Sequence, residues 1–305
     1  MSLRWEMLQA ARRSHQALGE SAQLVRAFLR AQQNPDGGFK DRTGRSDLYY
    51  AVFGLDALAA LQTETPSEPA RQFLRQFGGG ANLDLVHLCC LARAWAAVGG
   101  LAPNDRAALL QRLETFRTED GGYGQFGGTR PGTPYGCFLA LGAGQDLRAQ
   151  LPAPLRLAEC LSRLETPDGA WSNAGFATPA SPSTLNPQPS TQGSTLATAA
   201  AMTVLQQLDQ PVKPSTTAWL LARAHPKGGF VAAPDAPLPD LLSTATALHA
   251  LAALQVPFDH LKERCLDFLD TLWTNEGGFY GHWADEHLDC EYTFYGLLAL
   301  GHLSA

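Results

Sequence analysis

The chain is short of charge, and nothing basic is concentrated anywhere in it. Only 17% of its 305 residues are charged and the net charge is −6, so no cationic surface is present to bind nucleic acid. It also lacks a long uninterrupted apolar run. The opening MSLRWEMLQAARRSHQ has no apolar core of the kind a secretory signal needs, and no stretch reads as a membrane span. The longest uncharged run, Gly169 to Leu208, is full of Ser, Thr, Asn, Gln and Pro. Cysteine is sparse for this length. Cys89, Cys90, Cys137, Cys160 and Cys265 lie in apolar runs, Cys290 lies at a helix start, and no C-x-x-C pair occurs. That excludes a disulfide framework and places the chain in a reducing cytoplasm.

What the chain does have is repetition. Gly37-Gly38-Phe39, Gly121-Gly122-Tyr123, Gly169-Ala170-Trp171, Gly228-Gly229-Phe230 and Gly277-Gly278-Phe279 share a glycine-aromatic turn, and Gly78-Gly79-Gly80 is a reduced copy without the aromatic. The spacing is roughly 40 to 60 residues, the range of repeat architectures. Glycine allows positive φ or close backbone approach, and the aromatic is suited to packing in a seam between repeats.

Each turn separates two kinds of helix. The helix before it carries a one-sided apolar stripe, clearest at Leu261, Cys265, Phe268, Leu269 and Leu272. Leu24, Phe28 and Leu29 begin the series, and Asn104 is placed to cap the helix carrying Leu109, Leu110, Leu113 and Phe116. The helix after each turn is apolar nearly all round, as a buried helix is. These run over Asp47–Leu61, Asp84–Val98, Tyr135–Leu141, Thr195–Leu208, Asp240–Leu254 and Asp289–Leu303. No segment shows the strict alternation of a strand. Six alternating pairs with no polar end repeat predict an all-α closed ring, an (α/α)6 toroid forming one domain over residues 1–305. The Pro/Ser/Thr-rich Ser172–Gly193 is an insertion, read either as a linker or as a lid over the ring mouth.

The turns QNPDGGF and TPDGAW, and the longer stretches TEDGGYGQFGGTRPGTPYGCFLAL and EGGFYGHWADEHLDCEYTFYGLLALG, resemble the protein prenyltransferase β-subunit and squalene cyclase superfamily. The resemblance runs from Ala22 to Leu303. It implies a toroid of six helix pairs whose central funnel holds an isoprenoid. Two departures bear on the chemistry. The family's zinc ligands come from Asp-x-Cys and Asp-x-x-His. Here Asp289-Cys290-Glu291 has Glu where the thiolate belongs, Asp47-Leu48-Tyr49-Tyr50 has Tyr in the His position, and Asp240-Leu241-Leu242-Ser243 has Ser there. Asp84-Leu85-Val86-His87 fits Asp-x-x-His but has no thiolate partner. The Asp-x-Asp-Asp acid of the cyclases is absent as well. The resemblance therefore implies either a prenyl-transferring enzyme without the zinc triad or a non-catalytic isoprenoid-binding or interaction module. A prenyltransferase β-subunit works with an α-subunit; this sequence leaves the partner subunit open.

The candidate site follows from where the buried helices begin. Asp47, Asp84, Asp240 and Asp289 each suit an N-cap. Capping does not explain the polar residues one turn further in: Tyr49, Tyr50, His87, Glu291 and Tyr292. In a closed ring the last repeat adjoins the first, so these positions are expected along one side of the mouth. Asp289 and Glu291 are the candidates for catalysis; Asp47, Tyr49, Tyr50, Asp84, His87, Asp240 and Tyr292 are the candidates for binding. No cofactor is expected: stoichiometric zinc needs soft or borderline ligands converging on one point, and any metal would be a weakly held, oxygen-ligated divalent ion near Asp289 and Glu291, assisted by Asp47. Lys40, Arg42 and Arg45 form the nearest basic set, suited in principle to a diphosphate. Phe53, Trp95, Phe138, Leu248 and Phe294 are expected to wall an apolar funnel.

Overall fold

The computed structural model describes residues 2–63, 67–173 and 192–304. The helices in chain order are α1 Leu3–Arg12, α2 Ser14–Leu18, α3 Ala22–Ala31, α4 Leu48–Ala60, α5 Ser67–Arg75, α6 Leu85–Val98 and α7 Pro103–Glu114. They continue with α8 Pro134–Asp146, α9 Leu155–Arg163, α10 Thr195–Gln207, α11 Pro214–Leu221, α12 Leu241–Ala253, α13 Lys262–Leu272 and α14 Cys290–Leu303. The even-numbered helices from α4 to α14 form the inner ring. Each packs on the next, and α14 returns to α4. The odd-numbered helices from α3 to α13 lie outside. The expected toroid is therefore the observed fold.

The glycine turns explain how the ring is pinned. Gly277 has φ +91°, and a side chain there would meet the Leu24 carbonyl oxygen at 2.2 Å. Glycine at this point lets the last turn rest directly on the first outer helix, α3, and so closes the ring. The aromatic of the motif has a more local role than a seam between repeats. Phe39 and Phe279 are buried beneath the inner helix each leads into, against Gly54 and Gly296, where a Cβ would come within 2.2 Å and 2.7 Å of the rings. In three repeats the fourth residue of the inner helix, Thr198, Thr244 or Thr293, accepts a hydrogen bond from the backbone N–H of that aromatic at 3.1, 2.9 and 3.4 Å. Buried threonine in an otherwise apolar helix thus satisfies a turn donor that would be costly unpaired.

Three features differ from the sequence-based expectation. Two short antiparallel ladders occur, Phe39–Lys40 with Ser46–Asp47 and Phe230–Val231 with Pro239–Asp240; each merely clips the ends of a loop together. Asn104 is not a cap: Ala102 holds that place and Pro103 opens α7, using proline's preset φ where the N–H has no helical partner. Helix α1 was not foreseen at all. Its Leu3, Met7, Leu8, Ala10 and Ala11 are buried, and it packs across α14, α4 and α8. The Leu3 N–H donates to Gln145 Oε1 at 2.8 Å, and Gln207 Nε2 donates to Glu6 Oε1 at 2.7 Å. These partners lie at the C-terminal ends of α8 and α10, so α1 seals that end of the ring. Of the Ser172–Gly193 insertion, residues 174–191 lie outside the described residues. No helix among the described residues is long and apolar enough to cross a membrane.

Candidate functional site

The ring encloses a cavity of about 470 Å³. Every inner helix contributes to its wall. Tyr49 comes from α4; Val86, His87 and Arg93 from α6; Tyr135 and Phe138 from α8; Leu196, Ala199, Ala200 and Thr203 from α10; Leu242, Thr246 and His249 from α12; Tyr295 and Leu298 from α14. On α8, α10, α12 and α14 the spacings of three, four and seven residues mark one face, and on α6 Val86 and Arg93 are seven apart. Met7 of α1 forms the floor, while Asp84, Gln125 and Asn173 lie at the rim. Of the five residues expected to wall a funnel, only Phe138 does so. Leu248 and Phe294 are fully buried, Phe294 against Phe53 of α4 and Arg93 of α6, and Phe53 and Trp95 are buried too; none of the four reaches the wall.

All four candidate aspartates cap their helices. Asp47 accepts from the Tyr49 amide at 2.7 Å, Asp84 from His87 at 2.8 Å, Asp240 from Ser243 at 2.7 Å and Asp289 from Tyr292 at 2.9 Å. Thr133 and Ser194 cap the other two inner helices. Three of the aspartates do more than cap. His87 Nδ1 lies 2.9 Å from Asp84 Oδ1, and its Nε2 lies 3.6 Å from Asp47 Oδ2. These two carboxylates, Asp47 foremost, push the imidazole up to about 10, so His87 is a cation at neutral pH although 38% of its side chain remains exposed. Both carboxylates sit below their usual range in return, Asp47 despite a burial that acts in the opposite direction.

Asp289 belongs to a second cluster. Arg42 crosses from the first loop and donates through Nε to Asp289 Oδ2 at 2.9 Å and through Nη2 to Asp285 Oδ2 at 2.9 Å. Its guanidinium stands 5.3 Å from the centre of the Tyr292 ring and also interacts with the Tyr50 hydroxyl. The rest of the basic set is occupied too: Lys40 donates to the Ala31 carbonyl at 2.7 Å, and Arg45 pairs with Asp41 at 3.7 Å. Asp240 caps α12, the ring neighbour of α14, and its charge reaches Tyr292; burial raises its carboxyl.

Glu291 forms the third group. The Tyr49 hydroxyl donates to Glu291 Oε1 at 2.5 Å. Glu291 is 9% exposed, and burial raises its carboxyl from 4.5 to about 7, with the neighbouring Asp289 acting in the same direction. Tyr49 lines the cavity; burial and the Glu291 charge hold its phenol well above the usual range. The folded chain thus keeps the Glu291 proton up to about pH 7, whereas the unfolded chain loses it near 4.5. The protonated carboxyl's contribution is complete below the lower value and lost as pH rises through the higher one. Glu291→Gln should flatten this stretch of the stability–pH curve, removing a dependence on the order of 3 kcal/mol. Urea unfolding at pH 4.5, 6 and 8 measures it; an unchanged slope between native and variant would show that Glu291 does not titrate there.

The sequence expectation of one polar side to the mouth resolves into these three neighbouring groups. Tyr49, Asp84 and His87 reach the cavity wall and Asp47 touches His87. Asp289, Tyr50 and Tyr292 surround Arg42, and Asp240 lies on the adjoining helix start, outside the three groups but near Tyr292. The residues do not fit a zinc ion of the prenyltransferase kind. Asp289 is committed to Arg42 and its own helix end, while the Cys290 thiol is buried and raised well above its usual range. Among the described residues no three His, Cys, Asp or Glu side chains converge as a metal set.

Sequence reasoning missed the polar groups deep in the cavity. Arg93 is the one charged residue beyond the first turn of LVHLCCLARAWAAV, and His249 the one ionisable residue in LLSTATALHALAA. A lone polar residue in a buried run was the available signal. Arg93 Nε bonds Asp56 Oδ2 at 2.7 Å, and Arg4 of α1 reaches Asp56 Oδ1 at the same distance.

Comparison with known proteins agrees with this architecture. No curated protein sequence matches the chain. Among solved structures, a type II terpene cyclase, MstE from Scytonema, superposes with a TM-score of 0.62 at 16% identity, over 94% of this chain and 97% of the other. The same cyclase in complex with geranylgeranyl dihydroxybenzoate gives 0.64 at 15% identity, over 95% and 97%. The protein geranylgeranyltransferase-I of Candida albicans, complexed with GGPP, gives 0.50 at 16% identity, over 97% and 82%. At these identities the likeness is one of fold. Residues 4–88 and 193–304 match the prenyltransferase alpha-alpha toroid domain, and the chain belongs to that family.

Proposed function

We propose that the chain binds an isoprenoid or similarly elongated apolar molecule in its central cavity. The observation that carries this reading is the cavity itself: six inner helices each turn one face to it, and α1 closes its floor. A solid core would be the cheaper structure, because unfilled volume in an interior forfeits packing energy. Binding of geranylgeranyl compounds by structurally similar proteins supports the same ligand class. The mouth favours a ligand without a diphosphate. Lys40, Arg42 and Arg45 all have partners, and His87 stands between two carboxylates.

A second reading makes the chain an enzyme, a prenyltransferase-like protein that works without zinc. It rests on Glu291, a buried carboxyl that exchanges its proton near neutrality and contacts a cavity-lining phenol. In this reading Glu291 supplies general acid–base chemistry through Tyr49, with Asp289 fixing Arg42 beside it. One experiment separates the readings. The purified chain is titrated with geranylgeraniol and geranylgeranyl diphosphate under native mass spectrometry, then incubated with each and extracted for products. We expect one equivalent of the alcohol bound per chain, more tightly than the diphosphate. Absence of any retained isoprenoid would refute the binding reading. New products lost in Glu291→Gln would establish the enzymatic one.

A further inference from the structure

The inner end of the cavity carries two polar groups that nothing at the mouth uses. Arg93 stands in the third turn of α6 and His249 in the third turn of α12; both line the wall, close to the level of Thr203, Leu298 and Met7. The Arg93 guanidinium is tied to Asp56 through Nε only in part: its Nη2 is buried with no protein hydrogen-bond partner. His249 is 6% exposed. Its Nδ1 lies 3.1 Å from His302 Nε2, and its own Nε2 is likewise buried without a protein partner.

The chemistry of these atoms restricts what they can receive. A guanidinium donates hydrogen bonds and accepts none, so the group facing Arg93 must be an acceptor. Burial, then Arg93, pushes the His249 imidazole down to about 4, which leaves it neutral with a single N–H. When His302 donates to His249 Nδ1, that N–H sits on Nε2 and points the same kind of donor at the same cavity. In that tautomer two donors, one of them charged, are left unpaired in an enclosed space, and each costs free energy. Asp56 is shared between Arg4 and Arg93, and burial pushes the Asp146 carboxyl, the other acid near Arg93, up to about 6.

Building on the reading that an apolar molecule occupies the cavity, we propose that the molecule carries a carboxylate at its leading end, received at the floor by Arg93 Nη2 and His249 Nε2. The occupant is thus an apolar carboxylic acid seated acid-first, with its hydrocarbon chain running toward the mouth. Charge-assisted hydrogen bonds of this kind favour an acid over its ester.

The test compares farnesoic acid with methyl farnesoate on the full chain by isothermal titration at pH 7. The native protein should bind the acid at least about tenfold more tightly. Arg93→Met should reduce that preference to under about twofold by weakening the acid alone. His249→Leu, which breaks no ion pair and stands in should Arg93→Met not fold, should shrink it several-fold. Equal affinity of the native chain for acid and ester would overturn the inference and leave the cavity reading intact. Equal weakening of both compounds in His249→Leu would also overturn it, assigning the histidine to packing or to a buried water. If neither compound binds, the cavity reading fails and the inference with it.

Discussion

Replacing Asp56 by alanine should cost about 3–5 kcal/mol of folding stability, the range for removing one partner of a buried ion pair. Asp56 is 1% exposed and receives Arg4 Nη2 and Arg93 Nε at 2.7 Å each. The large effect comes from what stays behind. Arg93 sits inside the ring with its second terminal nitrogen already unpaired, and without Asp56 its charge would be left uncompensated. Arg4→Ala should cost far less, about 1 kcal/mol or below, because Asp56 keeps Arg93. Urea unfolding followed by circular dichroism reads both. An Asp56→Ala midpoint near that of Arg4→Ala would mean that Arg93 finds another counter-charge, with Asp146 the nearest.

The second large effect is expected at Gly301, where the floor meets the ring. A Cβ at Gly301 would lie 1.8 Å from the Ala10 carbonyl oxygen. That atom is helix backbone and cannot yield as a flexible side chain would. Gly301→Leu should therefore lift α1 from its seat and break the bond from Arg13 Nε to the Gly301 carbonyl. Overpacking alone costs about 1–3 kcal/mol. The more telling readouts are faster amide exchange throughout Leu3–Arg12 and faster ligand dissociation, because the cavity would then open at both ends. Gly142→Ala is the control: its Cβ would meet only Leu3 Cδ1, at an ordinary 3.8 Å. Native-like protection of α1 in Gly301→Leu would show that the seat adjusts.

The parts of the fold that were legible in the sequence are those written as contrast. Glycines beside an aromatic mark the turns, one-sided stripes mark the outer helices, and the aspartates mark four helix starts; each expectation met its element within a few residues. The cavity face was illegible for the opposite reason. LLSTATALHALAA is apolar all round, because one side packs on the outer ring and the other faces the cavity, so no periodicity separates the two. Leu248 and His249 differ by one step of about 100° around the helix, yet the first is sealed in the protein layer and the second lines the cavity. Phe294 and Tyr295 repeat the same division. The ion pairs that organise the floor join residues 52 and 37 positions apart, and no local rule connects them. Helix α1 lies outside the repeat, so the period that revealed the other helices says nothing of it.

The closure of the ring has a consequence for how the chain is made. Helix α1 leaves the ribosome ahead of all six repeats, but part of its seat is α14, which belongs to the sixth. Gly277 must likewise reach Leu24 before the first outer helix is fully covered. A nascent chain that has produced four repeats can stack them in order, yet it still presents two raw apolar edges and an undocked amphipathic helix. Contacts between such distant residues are slow to form, and exposed edges invite association between partly made chains. Ring closure and the docking of α1 must therefore await the sixth repeat, so the earliest helix is seated only after the latest one has formed.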